Sequence, residues 1–258
     1  MAEFRGGKLK IDSKRSALEA LLDISIVAML TVLFAFNKQV EGENYIYYIT
    51  FFAVIGLSFL VSILGRATVS VKLPTIWYGV FIVLCALSSV WALYDPNLSL
   101  RYISRMVQVL FICFCITLYI KTREDFERFT MLFTAAVMIM IVSVFVRTPY
   151  ALWFSGFFGR INNENVTGNN INTLAYICVV AVAISFCKAY YYKKRAYYLC
   201  TAFELLYIVL SSSRKALFIV AFLLFAMLIF YVNKRFYLLR LALMIAAAVG
   251  IAIAFLKV

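Results

Sequence analysis

Apolar residues run through this chain in blocks of about twenty, and polar residues collect in the short gaps between them. A transmembrane helix needs about 20 predominantly apolar residues, with about 17–25 tolerated. The pattern predicts about nine such helices, at Ala17–Phe36, Tyr45–Leu64, Leu73–Ala92, Tyr102–Ile120, Phe129–Phe145, Ile171–Cys187, Ala196–Leu210, Ala216–Val232 and Phe236–Leu256. The seventh is short and carries Glu204. Pro74, Pro96 and Pro149 fall at span edges or in loops, as spans without proline breaks require. The predicted class is all-α: a polytopic membrane protein with a basic segment at residues 1–16 and a transmembrane helical domain over 17–258.

Composition narrows this further. The hydrophobic fraction is 65% and the charged fraction 14%, against about 45–50% and about 25% in soluble domains. With 24 Phe and 17 Tyr, much of the surface must face lipid. The net charge of +13 is mainly a topology signal. With the N-terminus cytoplasmic, seventeen of the 25 Lys and Arg residues fall on the inner side and eight on the outer. No single soluble face collects the charge, so a nucleic-acid partner is not expected. The basic head and first apolar run resemble a secretory signal, but no small-x-small cleavage site follows, so the run is expected to be retained.

There is no histidine. Histidine general bases, Ser/His and Cys/His dyads and His-ligated metal sites are excluded from this chain. The six cysteines lie in apolar runs without metal spacing and read as small hydrophobes. Trp77 and Trp91 sit near the ends of the third span, as interfacial anchors do. The most charged stretch, Lys121–Arg128, reads as a solvated cytoplasmic turn leading into the fifth helix. Asp23 lies barely a turn inside its span and is expected to reach the inner interface. Glu204 is deeper and is expected to have a structural partner on another helix.

Two outer segments carry candidate chemistry. The loop from Arg147 to Asn170 places Trp153, Phe154, Phe157 and Phe158 before Asn162, Asn163, Asn165, Asn169 and Asn170, with Asn172 just inside the sixth helix. Carboxamides donate and accept, which suits sugar hydroxyls; they also cap helices and punctuate turns. The second segment is Ser211-Ser212-Ser213-Arg214-Lys215, between the seventh and eighth spans. Arg214 there either snorkels to headgroups or clamps phosphate in a two-pronged geometry with serine hydroxyls beside it. An antiparallel helix pair returns the chain to the side where it began, so Arg160 and Arg214 share the outer face. Two cations at headgroup depth suit a lipid-linked pyrophosphate. Asn97-Leu98-Ser99 and Asn165-Val166-Thr167 match the glycosylation acceptor pattern, which chance produces often.

At these positions the chain resembles the O-antigen ligase/polymerase family of bacterial envelope polysaccharide enzymes. The S-x-S-R signature opening a span is matched by Ser211-Ser212-Ser213-Arg214, continuing SSSRKALFIV as in polymerase-like members. The arginine-then-asparagine signature is matched by Arg160 and by GNNINTLA, with Asn172 at the aligned position. WALYDPNLSL, Trp91 to Leu100, is like the loop before that family's fourth helix. The resemblance implies a GT-C-like helical bundle in the bacterial cytoplasmic membrane and an inverting glycosyltransferase using an undecaprenyl-pyrophosphate-linked glycan as donor. Arg160 and Arg214 would be the catalytic pair, stabilising the departing pyrophosphate. Asn170, Asn172, Ser211 and Ser213 would be substrate-binding; no metal or cofactor is implied, and other polysaccharide-assembly proteins are possible partners. Family members are longer, with a large outer loop holding a histidine in the ligases, so the chain is expected to be the N-terminal part of a longer architecture. The missing histidine and SSSRKA favour the polymerase side. The alternative is a lipid-linked oligosaccharide flippase or another transporter. Such proteins more often show Gly/Pro-broken helices and midplane charge pairs.

Overall fold

The computed structural model describes residues 17–35, 45–64, 73–89, 96–154, 171–211 and 213–232. Among them the chain is all-helical, with no strand. The helices are α1 (Ala17–Ala35), α2 (Tyr45–Leu64), α3 (Leu73–Ser89), α4 (Pro96–Tyr119), α5 (Arg123–Arg147), α6 (Ile171–Tyr191), α7 (Ala196–Leu210) and α8 (Arg214–Val232), with a 3-10 turn at Tyr150–Leu152 after α5. Five are long and apolar enough to cross a bilayer: α1, α2, residues Tyr102–Tyr119 of α4, α5, and Asn172–Tyr191 of α6. Helices α3 and α7 are apolar but shorter, with 17 and 15 residues. The ninth predicted span, Phe236–Leu256, and the basic segment 1–16 lie outside the described residues, as does Trp91.

Three helices start earlier than their apolar runs, α8 by two residues at Arg214. Helix α4 opens at Pro96, where a fixed φ and a missing N–H suit the first helical position. Helix α5 takes up the charged stretch that the sequence suggests is a turn. Thr122 and Asp125 bracket its start: Asp125 Oδ2 accepts from the Thr122 amide at 2.9 Å and the Lys121 amide at 3.2 Å, and the Asp125 amide donates back to Thr122 Oγ1 at 3.2 Å. This is a reciprocal cap, and Glu124 and Asp125 in the first turn complement the helix dipole.

The chain divides into two compact units, one of residues 1–29 and 48–129, the other of 30–47 and 130–258. In the first, α3 packs against α4. Its buried side chains include Leu22, Ile26, Phe51, Val54, Cys115 and Leu118, and the Phe59 and Phe114 rings lie 6.0 Å apart. Asp23 turns to side chains of α4 and α5. It is 8% exposed, and its carboxylate accepts from Arg128 Nε at 2.8 Å, from Arg128 Nη2, and from the Tyr119 hydroxyl at 2.7 Å. The Arg128 guanidinium also lies 5.7 Å from the centre of the Tyr119 ring. Arg128 is therefore not one of a run of solvated loop charges. A helix rotates successive residues by about 100°, so Arg123 is solvent-facing and bonded to Glu127 while Arg128 turns inward.

In the second unit α6 packs along α7 and also against α8. The buried stripe of α6 is Leu174, Ala175, Cys178, Ala181, Val182, Ser185 and Ala189. It recurs at three- and four-residue steps, which defines one helix face, and its small members allow close helix approach. Helix α5 has a similar stripe, Ala136, Val137, Met140, Ile141 and Val144. Arg147 at its end donates to the α1 terminal carbonyl of Ala35 at 3.4 Å. Opposite faces carry exposed Tyr176, Val180, Leu199, Phe203, Leu206 and Phe222, as lipid contact requires. Trp77 is likewise exposed at 65%. The cysteines divide: Cys115 and Cys178 are buried as expected, whereas Cys113 is exposed on an apolar helix, where its low polarity is tolerated.

Removing one partner of a buried ion pair leaves the other charge uncompensated, at a cost of about 3–5 kcal/mol. Arg128→Ala is expected to lower the thermal midpoint of the purified protein well below that of Arg123→Ala. Equal midpoints for the two variants would show that the Asp23 contact contributes nothing.

Candidate functional site

Helix α6 leads away from the end where it begins, α7 returns there, and α8 leads away again. The beginnings of α6 and α8 therefore lie at the same end of this three-helix group. Two polar side chains join them: Ser213 Oγ donates to Asn172 Oδ1 at 2.8 Å, across 41 residues of sequence. Ser213 is the N-cap of α8, since its carbonyl accepts the first helical bond from the Leu217 amide at 3.0 Å. Its hydroxyl would ordinarily bond an amide of its own first turn. Here it is directed to α6. The bond also orients the carboxamide of Asn172, with Oδ1 toward Ser213 and the Nδ2 donor on the other side.

Arg214 and Lys215 follow at once, and both are exposed. The N-terminus of a helix carries a partial positive charge, so cations there are unfavourable by roughly 0.3–1 kcal/mol each. An anion at the same point reverses the sign, because backbone N–H groups and side-chain cations then act on it together. This shared end, the mouth of the group, thus gathers the start of α8, Arg214 and Lys215, with Asn172 held beside it by Ser213.

Ser211 serves the turn itself. It is buried, donates from Oγ to the Ile208 carbonyl at 2.7 Å, and receives the Ser213 amide at 3.4 Å. This closes α7 and sets the direction of α8, so Ser211 acts on the mouth through Ser213. Arg160, Asn170 and Ser212 lie outside the described residues, as do Asn162, Asn163, Asn165 and Asn169, and with them the pairing of Arg160 with Arg214.

Glu204 lies on the face of α7 that also carries Thr201, Tyr207, Ile208 and Ser211, all buried. It is fully buried, and Ser185 Oγ on α6 donates to its Oε1 at 3.0 Å. The expected partner on another helix is this serine. Its Oε2 has no hydrogen-bond partner among the described residues. Ser185 was not legible beforehand, since a serine in an apolar helix carries no sign of what it faces. The same holds for Tyr119 beside Asp23.

Comparison with family models, with curated proteins and with solved structures finds no match to this chain.

Losing one partner of a buried hydrogen bond costs about 1–3 kcal/mol, whereas replacing both by apolar groups is nearly neutral. Ser185→Ala is therefore expected to destabilise the purified protein by that amount. The double variant S185A/E204L is expected to recover most of the loss. A double variant less stable than S185A would show that Glu204 bonds to something other than Ser185.

Proposed function

We propose that this chain is a polysaccharide polymerase or O-antigen-ligase-like membrane glycosyltransferase, acting on an undecaprenyl-pyrophosphate-linked glycan at the outer face of the bacterial cytoplasmic membrane. The observation that carries the reading is the Ser213–Asn172 hydrogen bond. It holds together two separate sequence positions that the resemblance assigns to one donor site, and it does so beside Arg214. In this reading nine spans form a GT-C-like bundle with a cytoplasmic N-terminus. Arg160 and Arg214 are the catalytic residues; Asn170, Asn172, Ser211 and Ser213 bind or position the donor.

The chemistry asked of the site is modest. An acceptor sugar hydroxyl attacks the anomeric carbon from the face opposite the pyrophosphate. The new glycosidic bond forms as the bond to the pyrophosphate oxygen breaks, and the hydroxyl proton is released. Negative charge grows on the departing oxygen, where a guanidinium lowers the barrier electrostatically. Removal of one such donor costs about 100- to 1000-fold in rate. Arginine suits the task better than lysine because its planar fork engages two phosphate oxygens at once.

A lipid-linked oligosaccharide flippase is the second reading, favoured by one observation: a fully buried carboxyl, Glu204, inside α7. The two readings differ in where uncopied substrate accumulates. Arg214→Ala is expected to abolish polymer or ligated glycan in cells while membrane levels of the protein stay unchanged, with single lipid-linked repeat units building up on the outer leaflet. Arg214→Lys is expected to retain a small part of the activity. Normal glycan length and amount in R214A would remove Arg214 from the site, and accumulation on the inner leaflet would turn the assignment to the flippase.

A further inference from the structure

Two carboxyls are buried among the described residues, and they are held in opposite ways. Asp23 meets a guanidinium and a phenol: Arg128 donates to it twice and Tyr119 once. Glu204, 0% exposed, meets a single neutral hydroxyl. Ser185 Oγ donates to its Oε1 at 3.0 Å, and Oε2 has no hydrogen-bond partner among the described residues.

The neighbours of Glu204 supply no countercharge among the described residues. From α6 it is faced by Ser185, with Cys178 within electrostatic reach. On α7 its own face carries Thr201 and Tyr207, with Cys200 close by. The Thr201 hydroxyl is spent on the Tyr197 carbonyl at 2.9 Å. Lys188, one turn beyond Ser185, sets its ammonium 5.4 Å from the centre of the Tyr197 ring. The charged residues of α8, Arg214 and Lys215, stand at its start, beyond the end of α7. The surroundings act on Glu204 mainly through its burial and through Ser185.

A serine hydroxyl has one proton to donate, and Ser185 has spent it on Oε1. Were Glu204 ionised, a full negative charge would be spread over two oxygens with one donor between them. Burying an ionised carboxylate in that way is so costly that such a group takes up a proton instead. With a proton on Oε2, Oε1 becomes a carbonyl oxygen, and the Ser185 bond satisfies it. One donor on one oxygen, with the other oxygen left out, is the pattern a neutral acid makes. Asp23, with its guanidinium, shows the pattern of an ionised one.

We propose that Glu204 and Ser185 form a proton-binding site at membrane depth between α6 and α7. Oε2 of Glu204 carries an exchangeable proton, and Ser185 is the positioning residue that holds Oε1. Carboxyls inside a membrane are the groups from which proton relays are built. The site uses neither Arg214 nor the Asn172–Ser213 bond, so it stands with either functional reading.

The test is infrared spectroscopy on the purified full chain in detergent at about pH 7, where an exposed glutamate, titrating at about 4.3, is ionised. Wild type is expected to show the carbonyl stretch of a protonated carboxylic acid, and E204Q to lack it. In heavy water the band is expected to move to lower frequency as deuterium replaces the bound proton. S185A is expected to keep the band at a higher frequency, because a carbonyl that loses its hydrogen-bond donor stiffens; a change in packing alone would not produce that shift. Should E204Q not fold, wild type is tested with dicyclohexylcarbodiimide, which enters apolar regions and adds the O–H of a protonated carboxyl across a C=N bond. An adduct on Glu204 is expected by mass spectrometry at about pH 7, with labelling falling about tenfold for each pH unit once the carboxyl ionises. Four results overturn the proposal: the same acid band in wild type and E204Q, a wild-type band that heavy water does not move, no carbodiimide adduct on Glu204, or loss of the band on adding sodium at constant pH, which would make this a site for a metal cation.

Discussion

Hydrocarbon offers no partner to a polar group, and this constraint governs where these helices put the carboxyls and carboxamides they bury. Backbone groups are satisfied within each helix, the only open-chain way to cross a bilayer. Carboxyl and carboxamide side chains take partners on neighbouring helices, while hydroxyls such as Thr134 and Thr201 bond carbonyls of their own helix. Asp23 takes Arg128 and Tyr119. Glu204 takes Ser185. Asn172 takes Ser213. Each pair joins residues far apart in sequence, so each fixes helix register as well as satisfying a polar atom. Apolar contacts alone define register poorly in lipid, because a lipid tail is as good a neighbour as a leucine.

The same constraint explains why the candidate chemistry sits at helix ends. Only there are backbone N–H groups left over, and only there does a long cation reach water or a headgroup without crossing hydrocarbon. Placing Arg214 and Lys215 at the first two positions of α8 stacks like charge on a positive helix end. A surface helix gains nothing from this. A helix end that receives an anion gains from all of it at once. Two unit charges 4 Å apart attract by about 1 kcal/mol in water and by about 4 kcal/mol where the effective dielectric is near 20. In the transferase reading, a chain without histidine depends on preorganised positive charge more than on neutral-pH proton transfer.

The apolar runs made the existence and order of the described helices legible, because a twenty-residue block has few other uses. Their polar ends were less so. The run in α5 begins at Phe129, yet the helix begins at Arg123, since a Thr–Asp cap and an acidic first turn extend a helix without adding any apolar residue. Arg128 was hidden for the same reason. In sequence it is one charge among several, and only the rotation of the helix decides that it faces Asp23 while Arg123 faces outward. At the candidate site, the shared end of α6 and α8 followed from counting helices. The bond between Ser213 and Asn172 did not, nor did the inward role of Ser211, because serine's single hydroxyl serves ligand, cap or turn with equal ease.

The length of α7 connects these strands. Fifteen residues rise about 22 Å at 1.5 Å each, against a hydrocarbon core of about 30 Å. If α7 crosses a bilayer, it cannot place both its ends in water unless the membrane thins or flanking side chains reach outward. Its flanks are suited to that. One end continues into Ser211, whose hydroxyl closes the last turn internally at 2.7 Å, and then into Arg214 and Lys215. The other is preceded by Lys193, Lys194 and Arg195, all exposed. Long basic side chains at both ends allow a short helix to span by snorkelling. The consequence for the Arg214 end is positional: the turn sits low while its long cations reach up to headgroup depth, where lipid phosphates lie. A helix of ordinary length would lift Arg214 above that depth. In the transferase reading, the shortness of α7 is the feature that lets the adjoining arginine act on phosphate.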